Sequence, residues 1–217
     1  MTDIATYRAQ FLDALLALDQ PRAKQVIESA LADNLPAQEL IDQVVNTAME
    51  DVRVRQNNLD ITLSRMYIMA RIVEDALNRL LLAVPRAREP RATVVIGTAR
   101  GDYHGLGRRL VATFLRVAGF KVIDLGLSVE NKQFVNMAVS VKAKAILASA
   151  LLIHTAEELI GIREILHARG LENEIKFIVG GAPFNFDPEF WTQVGADAMA
   201  RNATDATAVI SKWVEAN

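Results

Sequence analysis

The residues best suited to chemistry lie in one glycine-rich loop. The segment Gly97–Gly107 holds four of the chain's eleven glycines and places Asp102 and His104 two positions apart. Glycine tolerates positive φ angles and lets a bulky ligand approach the backbone closely. A loop histidine can bind a metal, but the same loop also suits a phosphate-binding turn or a merely tight strand-to-helix connection. The loop by itself leaves these alternatives open.

Nucleotide-binding and receiver-domain interpretations of this loop fit the sequence poorly. A P-loop ends in Lys followed by Ser or Thr, which is absent here, and Leu110 stands where a dinucleotide fingerprint has its third glycine. Receiver domains need acidic residues at the end of the first strand and an aspartate at the end of the third. Those places hold Gly97-Thr98 and Ser149.

The elements that must position the loop follow from hydrophobic periodicity. Beyond residue 92, short apolar runs alternate with amphipathic stretches, which predicts a parallel sheet with helices on both faces. The predicted strands are 93–96, 121–125, 145–148, 175–179 and a weak one near 198–199. We therefore expect an α/β, Rossmann-like (flavodoxin-like) domain with five parallel strands. Ligands of such domains bind at the carboxyl ends of the strands, here the segments 97–107, 126–130, 149–155 and 180–185.

The N-terminal part of the chain is predicted to be purely helical. Apolar residues recur at helical spacing from Tyr7 to Leu82, and Pro21, Pro36 and the break at Gln56-Asn57-Asn58 divide the pattern into four helices. The proline- and arginine-rich segment PRAREPR then separates the helical from the strand pattern. We expect a four-helix bundle cap at 1–84, a linker at 85–91 and the α/β domain at 92–217.

Composition and charge exclude several classes of partner. The formal net charge is −2, which gives no general attraction to nucleic acid or to an anionic membrane. No stretch approaches the ~18 consecutive apolar residues of a membrane span. The chain has no cysteine, which excludes disulfides and thiolate metal sites. We expect a cytoplasmic protein with protein and small-molecule partners.

Three motifs at the predicted strand ends resemble the cobalamin-binding domain family. They are Asp-x-His-x-x-Gly at Asp102, His104 and Gly107, Ser-x-Leu at Ser149 and Leu151, and Gly-Gly at Gly180 and Gly181. The chain is especially similar to the small corrinoid proteins that serve methyltransferases and to the corrinoid module of methionine synthase, which also place a four-helix domain before the α/β domain. The resemblance covers nearly the whole chain and implies cobalamin, as methylcobalamin or a related corrinoid, as the cofactor.

The resemblance implies a role for each matched residue. His104 would replace the cofactor's own nucleotide base as the lower cobalt ligand, and Asp102 would accept its second ring N–H. Thr155 would complete an Asp-His-hydroxyl relay that supplies a proton when the ligand is released. Ser149 and Leu151 would line the tunnel for the nucleotide tail. The remaining residues expected at the cofactor are Gly101, Tyr103, Gly105, Leu106, Gly107, Gly180, Gly181 and Ala182.

The cap is where the sequence departs from the family. An ungapped comparison puts Leu63 at the position of the family's aliphatic cap residue and Gln56 where an aromatic residue is usual. An amide above the corrinoid would shield a methyl group less well than an aromatic ring, or would hydrogen-bond a different upper ligand. The loop also lacks the family's acid and amide after the histidine, since it has His104-Gly-Leu-Gly-Arg-Arg109.

The leading functional interpretation is a corrinoid methyl carrier, a non-catalytic subunit that shuttles methyl groups between methyltransferases. Two alternatives remain open: a cobalamin-dependent sensor or regulator, and an adenosylcobalamin-binding module, each acting through another protein. The sequence names neither the methyl donor nor the acceptor, and it does not fix the oligomeric state.

Overall fold

The computed structural model describes residues 3–57, 62–84, 89–187 and 189–215. The chain divides into two compact units, residues 1–86 and residues 87–217. The first unit is helical and the second contains the sheet. No helix within the described residues is both long and apolar enough to cross a membrane.

Within its described residues, the first unit forms four helical stretches, as predicted. They are α1 (Ile4–Leu16), α2 (Gln20–Ala32), a continuous stretch of α3 (Ala37–Leu40), a π-helical segment (Ile41–Asn46) and α4 (Thr47–Asn57), and finally α5 (Leu63–Leu81). Asp19 caps α2 by accepting a hydrogen bond from the backbone N–H of Arg22, and Pro21 occupies the first turn. Pro36 stands just before α3, not inside its first turn.

The core of the helical unit is mostly aliphatic and includes the fully buried Phe11. The largest side chains buried there are Phe11, Leu15, Ile27, Leu40, Ile41, Met69, Leu77 and Leu80. Helical spacing places Tyr67, Ala70 and Leu77 along one side of α5, which predicts that this side faces the core, but Tyr67 is 53% exposed and Met69 is buried instead. Several sides of α5 carry apolar residues, so the pattern did not determine which side is covered.

The second unit is a five-stranded sheet covered by helices, which confirms the predicted fold class. The strands are β1 (Thr93–Thr98), β2 (Lys121–Asp124), β3 (Ala145–Ser149), β4 (Lys176–Gly180) and β5 (Ala198–Ala200). All pairings are parallel and the order is β2-β1-β3-β4-β5. The helices are α6 (Leu106–Val117), α7 (Asn131–Ser140), α8 (Ile153–Glu157), α9 (Ile160–Ala168), α10 (Ala182–Phe186), α11 (Phe190–Gln193) and α12 (Ala203–Glu215).

Alternate strand residues build one core on each face of the sheet. Val95, Ile146 and Phe177 pack with residues of α7 and α9. Val94 and Leu147 pack on the other face with residues of α6 and α12. Burial on both faces explains why the strands read as continuous apolar runs.

The start of α6 is joined to the neighbouring strand by a partly buried ion pair. Arg108 is buried in α6 and its guanidinium contacts the carboxylate of Asp124, the last residue of β2. Asp124 also accepts a hydrogen bond from the backbone N–H of Gly126, 2.9 Å away. The ion pair anchors the first turn of α6, where the β1–α6 loop ends, to the end of β2.

Candidate functional site

The strand order identifies where a ligand would bind. The connection after β1 runs to β2 on one side, and the connection after β3 runs to β4 on the other, so a crevice opens between the carboxyl ends of β1 and β3. Thr98 ends β1, Ser149 ends β3, and the two residues are direct partners in the sheet register. All three motifs noted in the sequence lie at this edge of the sheet.

Asp102 is the centre of a hydrogen-bond network at the crevice. Its side chain is fully buried. Oδ1 accepts from the backbone N–H of His104 at 2.9 Å and lies 2.8 Å from Nδ1 of the same residue. Oδ2 accepts from the backbone N–H of Leu151 at 2.6 Å and lies 3.2 Å from Oγ1 of Thr155. The network joins the loop after β1 to the loop after β3.

These hydrogen bonds keep Asp102 ionised. Burial by itself would raise the pKa of Asp102, but the hydrogen bonds from Leu151, His104 and Thr155 outweigh it, so the pKa lies below its usual value. The Thr155 hydroxyl also lies 2.8 Å from the carbonyl oxygen of Leu152, so its single hydrogen is shared between two acceptors.

The ionised carboxylate sets the tautomer of His104. An acceptor facing Nδ1 requires the proton to be on Nδ1, which leaves the lone pair of Nε2 unprotonated. The His104 side chain is 57% exposed, and the described residues offer Nε2 no recorded hydrogen-bond partner. The imidazole therefore exposes the lone pair of Nε2, while Nδ1 is hydrogen-bonded to the Asp102 carboxylate.

The loop around His104 is shaped by glycines and one serine. Gly101 turns the chain at φ +76°. Its N–H donates to Oγ of Ser128 at 3.0 Å, and the N–H of Ser128 donates to the carbonyl oxygen of Asp102 at 3.1 Å. Gly105 is buried before α6, where a Cβ would lie 2.8 Å from Cδ2 of Leu127. Leu106 and Gly107 form the first turn of α6.

A pair of glycines follows β4 at the same edge. A Cβ on Gly180 would lie 2.9 Å from the carbonyl oxygen of Ala200. Gly181 has φ +119°, and a Cβ there would lie 1.9 Å from the carbonyl oxygen of Ala150. Ala182 begins α10 directly afterwards. The backbones after β3 and β4 approach each other so closely that only glycine fits at Gly181.

Exposed apolar side chains surround this edge of the sheet. Tyr103 is 71% exposed and Phe186 is 90% exposed, and both follow strand ends. The others are Leu127, Leu151, Leu152 and Ile153. Large apolar side chains gathered at one edge mark a surface that binds an apolar partner or ligand.

The structure brings together the predicted residues of the α/β unit. Leu151 reaches Asp102 through its backbone N–H and has an exposed side chain; its place in the wall of a nucleotide tunnel stays a prediction. Gln56 lies in α4 and Leu63 begins α5, in the helical unit, and both side chains are outside the described residues.

Sequence reasoning missed Thr98, Leu127, Ser128 and Phe186. The first three lie within the strand-end segments 97–107 and 126–130 but belong to none of the motifs, and Phe186 is the last residue of α10, one position beyond the segment 180–185.

Replacing Asp102 with asparagine is expected to lower the free energy of unfolding of the protein without cofactor. Asparagine keeps one acceptor oxygen but turns an NH₂ group toward N–H donors, and a buried donor without an acceptor costs about 1–3 kcal/mol. Urea denaturation at neutral pH measures the change. The control is Asp187→Asn, since exposed Asp187 accepts one backbone hydrogen bond, from Glu189 at 3.0 Å, and should change stability by less than about 0.5 kcal/mol. Equal losses would contradict the prediction.

Comparison with known proteins extends over both units. Two family models described as B12 binding domains match residues 92–211 and 7–81. Trimethylamine corrinoid protein 1 of Methanosarcina acetivorans is 36% identical over 94% of each chain. The structure of the Methanosarcina barkeri monomethylamine corrinoid protein is similar with a TM-score of 0.71 and 25% identity, covering 99% of this chain and 100% of that one.

A third similarity is to a structure of a methyltransferase complex. The methanol:cobalamin methyltransferase complex of Methanosarcina barkeri contains a chain that matches with a TM-score of 0.66 and 20% identity, covering 98% of this chain and 81% of that one. At this identity the match bears on the fold alone. The similarities therefore span the helical unit and the sheet unit together.

Proposed function

Because the chain belongs to the family of cobalamin-binding corrinoid proteins of methyltransferase systems, we propose that it is a methyl carrier with His104 as the lower axial ligand of the cobalt. Its cofactor is a corrinoid. The observation that carries the proposal is the Asp102–His104 pair, which holds Nδ1 of the imidazole at 2.8 Å and leaves Nε2 available.

The residues at the edge of the sheet fit a corrinoid. A macrocycle needs a broad apolar surface, which the exposed side chains of Tyr103, Leu127 and Ile153 offer. The glycines after β4 let the backbone run close to its neighbours, since a Cβ on Gly180 or Gly181 would meet the carbonyl oxygen of Ala200 or Ala150. The site thus combines one ligand nitrogen with an exposed apolar face.

The cofactor supplies a cobalt ion that accepts a methyl group and gives it up again. The chain's own residues control the lower ligand. With its proton on Nδ1, His104 would offer the lone pair of Nε2 to the metal, and the Asp102 carboxylate would hold the ring in that orientation. A proton taken up at Nε2 would end ligation, because it would occupy the lone pair that binds the metal. The Thr155 hydroxyl donates to the carboxylate from the opposite side.

We propose methyltransferases as the protein partners, one to load the corrinoid and one to unload it. The relatives support this, since the similar protein of Methanosarcina acetivorans is named for trimethylamine and that of Methanosarcina barkeri for monomethylamine. A methylated amine is therefore the first methyl donor to test. The carrier alone should not demethylate trimethylamine; turnover without a second protein would contradict a carrier role.

The first test is retention of the cofactor. Purified protein is mixed with hydroxocobalamin, desalted and examined by visible spectroscopy. We expect the protein fraction to be coloured, with the spectrum of cobalamin whose own base has left the cobalt and been replaced by an imidazole. A colourless protein fraction would contradict the proposal. A coloured fraction with the spectrum of free cobalamin would contradict the exchange of ligand.

A further inference from the structure

Ser128, in the loop after β2, holds both sides of the turn that precedes His104. The turn is closed by the N–H of Asp102, which donates to the carbonyl oxygen of Ala99 at 3.0 Å, and Gly101 lies inside it at φ +76°. Oγ of Ser128 accepts from the N–H of Gly101 at 3.0 Å, and the N–H of Ser128 donates to the carbonyl oxygen of Asp102 at 3.1 Å. One residue outside the motifs therefore holds the backbone that enters and leaves the pair Gly101-Asp102.

The loop that carries Ser128 is itself attached to the end of β1. The N–H of Thr98 donates to the carbonyl oxygen of Gly126 at 3.0 Å, and the N–H of Val129 donates to the carbonyl oxygen of Thr98 at 2.9 Å. Leu127 and Ser128 lie between these two attachments. Because both ends of this short segment are bonded to the same strand residue, Ser128 meets the turn from a fixed position.

The backbone conformation of Ser128 is one that glycine would adopt at lower cost. Ser128 has φ +52°, and among the described residues of the second unit only one other non-glycine residue, Lys142, has a positive φ. Residues with a Cβ are disfavoured in this left-handed region, whereas glycine is not. Glycine would lack the hydroxyl oxygen that accepts from Gly101. The side-chain oxygen is thus what serine contributes at this position.

We propose that Ser128 is a positioning residue for the axial ligand, holding the turn at Gly101 and Asp102 so that His104 is presented to the cobalt in its ligating orientation. This inference rests on the proposed function. Oδ1 of Asp102 lies 2.8 Å from Nδ1 of His104, so a shift of the Asp102 backbone would move the acceptor that orients the ring. A ligand that must first be ordered binds its metal less tightly than one already held in place.

The test measures the affinity for hydroxocobalamin by absorbance titration in wild type, Ser128→Ala and Ser128→Asn. Alanine keeps the Cβ and removes the hydroxyl, so we expect about 3–10-fold weaker binding, the range of one hydrogen bond. Asparagine tolerates positive φ and offers an acceptor oxygen, so it should bind within about twofold of wild type. The matched control is Lys142→Ala, at φ +53° before the amino end of β3, which should leave the affinity unchanged.

A double-mutant cycle separates positioning of the ligand from direct contact with the corrinoid. If Ser128 acts through His104, then Ser128→Ala in a His104→Ala background should weaken binding no further. Electron paramagnetic resonance of ¹⁵N-labelled Ser128→Ala with Co(II) corrinoid should also show a smaller fraction of cobalt with a protein nitrogen as its ligand.

Three results would overturn the inference: equal losses of affinity in both backgrounds, no loss in Ser128→Ala, or an equal loss in Lys142→Ala. If Ser128→Ala does not fold, Ser128→Gly, which relieves the positive φ and also lacks the hydroxyl, takes its place in the same cycle. Failure of the proposed function is distinguishable, because wild type would then bind no corrinoid, or His104→Ala would match wild type in affinity and spectrum.

Discussion

Replacing His104 with alanine is expected to abolish the imidazole-ligand spectrum of the bound corrinoid while leaving the protein folded. His104 is 57% exposed, so its removal leaves no core cavity. The loss of an outer-shell partner of a metal ligand costs about 10–100-fold in affinity, and loss of the ligand itself should reach at least the upper part of that range. Absorbance titration with hydroxocobalamin measures both the affinity and the spectrum.

His167→Ala is the matched control for this variant. His167 also pairs with a carboxylate, since its Nδ1 lies 3.0 Å from Oε1 of Glu172, but it belongs to the last turn of α9. We expect its spectrum and affinity to equal those of wild type. If His104→Ala kept the wild-type spectrum, cobalamin binding would stand but His104 would not be the ligand.

Replacing Gly181 with alanine is expected to damage both stability and corrinoid binding. The Cβ would lie 1.9 Å from the carbonyl oxygen of Ala150, and the residue has φ +119°. The obstacle is backbone, so the strand ends must separate for the side chain to fit. Backbone strain and overpacking together should lower the free energy of unfolding by about 3 kcal/mol or more. Urea denaturation measures the loss, and retention of hydroxocobalamin after desalting measures the binding.

Gly170→Ala separates the two causes. Gly170 also has a positive φ, +68°, but a Cβ there would meet no atom within 4 Å. It should show the backbone strain alone, about 1 kcal/mol, with corrinoid retention unchanged. A Gly181→Ala variant no less stable than Gly170→Ala would mean that the backbones after β3 and β4 can separate without cost.

The sheet was predictable because its strands are buried on both faces. Each predicted run overlaps an observed strand, and even the three-residue β5 (Ala198–Ala200) lies at its predicted place. The buried side of α5 was not predictable. Tyr67 and Met69 are two positions apart on a helix with apolar residues on several sides, and only the packing partners decide which of them is covered.

The sequence predicted the site residues that belong to a motif. It did not predict the contacts that depend on backbone groups or on the strand register. Asp102 and His104 stand out in a glycine-rich loop. The contribution of Leu151 comes from its N–H, which any residue other than proline would supply. Thr98 looks like an ordinary strand residue until the pairing of β1 with β3 sets it opposite Ser149.

The central claim is that a nitrogen of the protein replaces the nitrogen of the cofactor's own base beneath the cobalt. Electron paramagnetic resonance tests this directly, with uniformly ¹⁵N-labelled protein loaded with unlabelled cobalamin and reduced to the Co(II) state. Because ¹⁵N and ¹⁴N have different nuclear spins, one axial ¹⁵N splits each cobalt line into a doublet, whereas one ¹⁴N gives a triplet. We predict doublets in the labelled wild type and their loss in His104→Ala. Triplets in the labelled wild type would show that the cofactor's own base remains the ligand and would contradict the account.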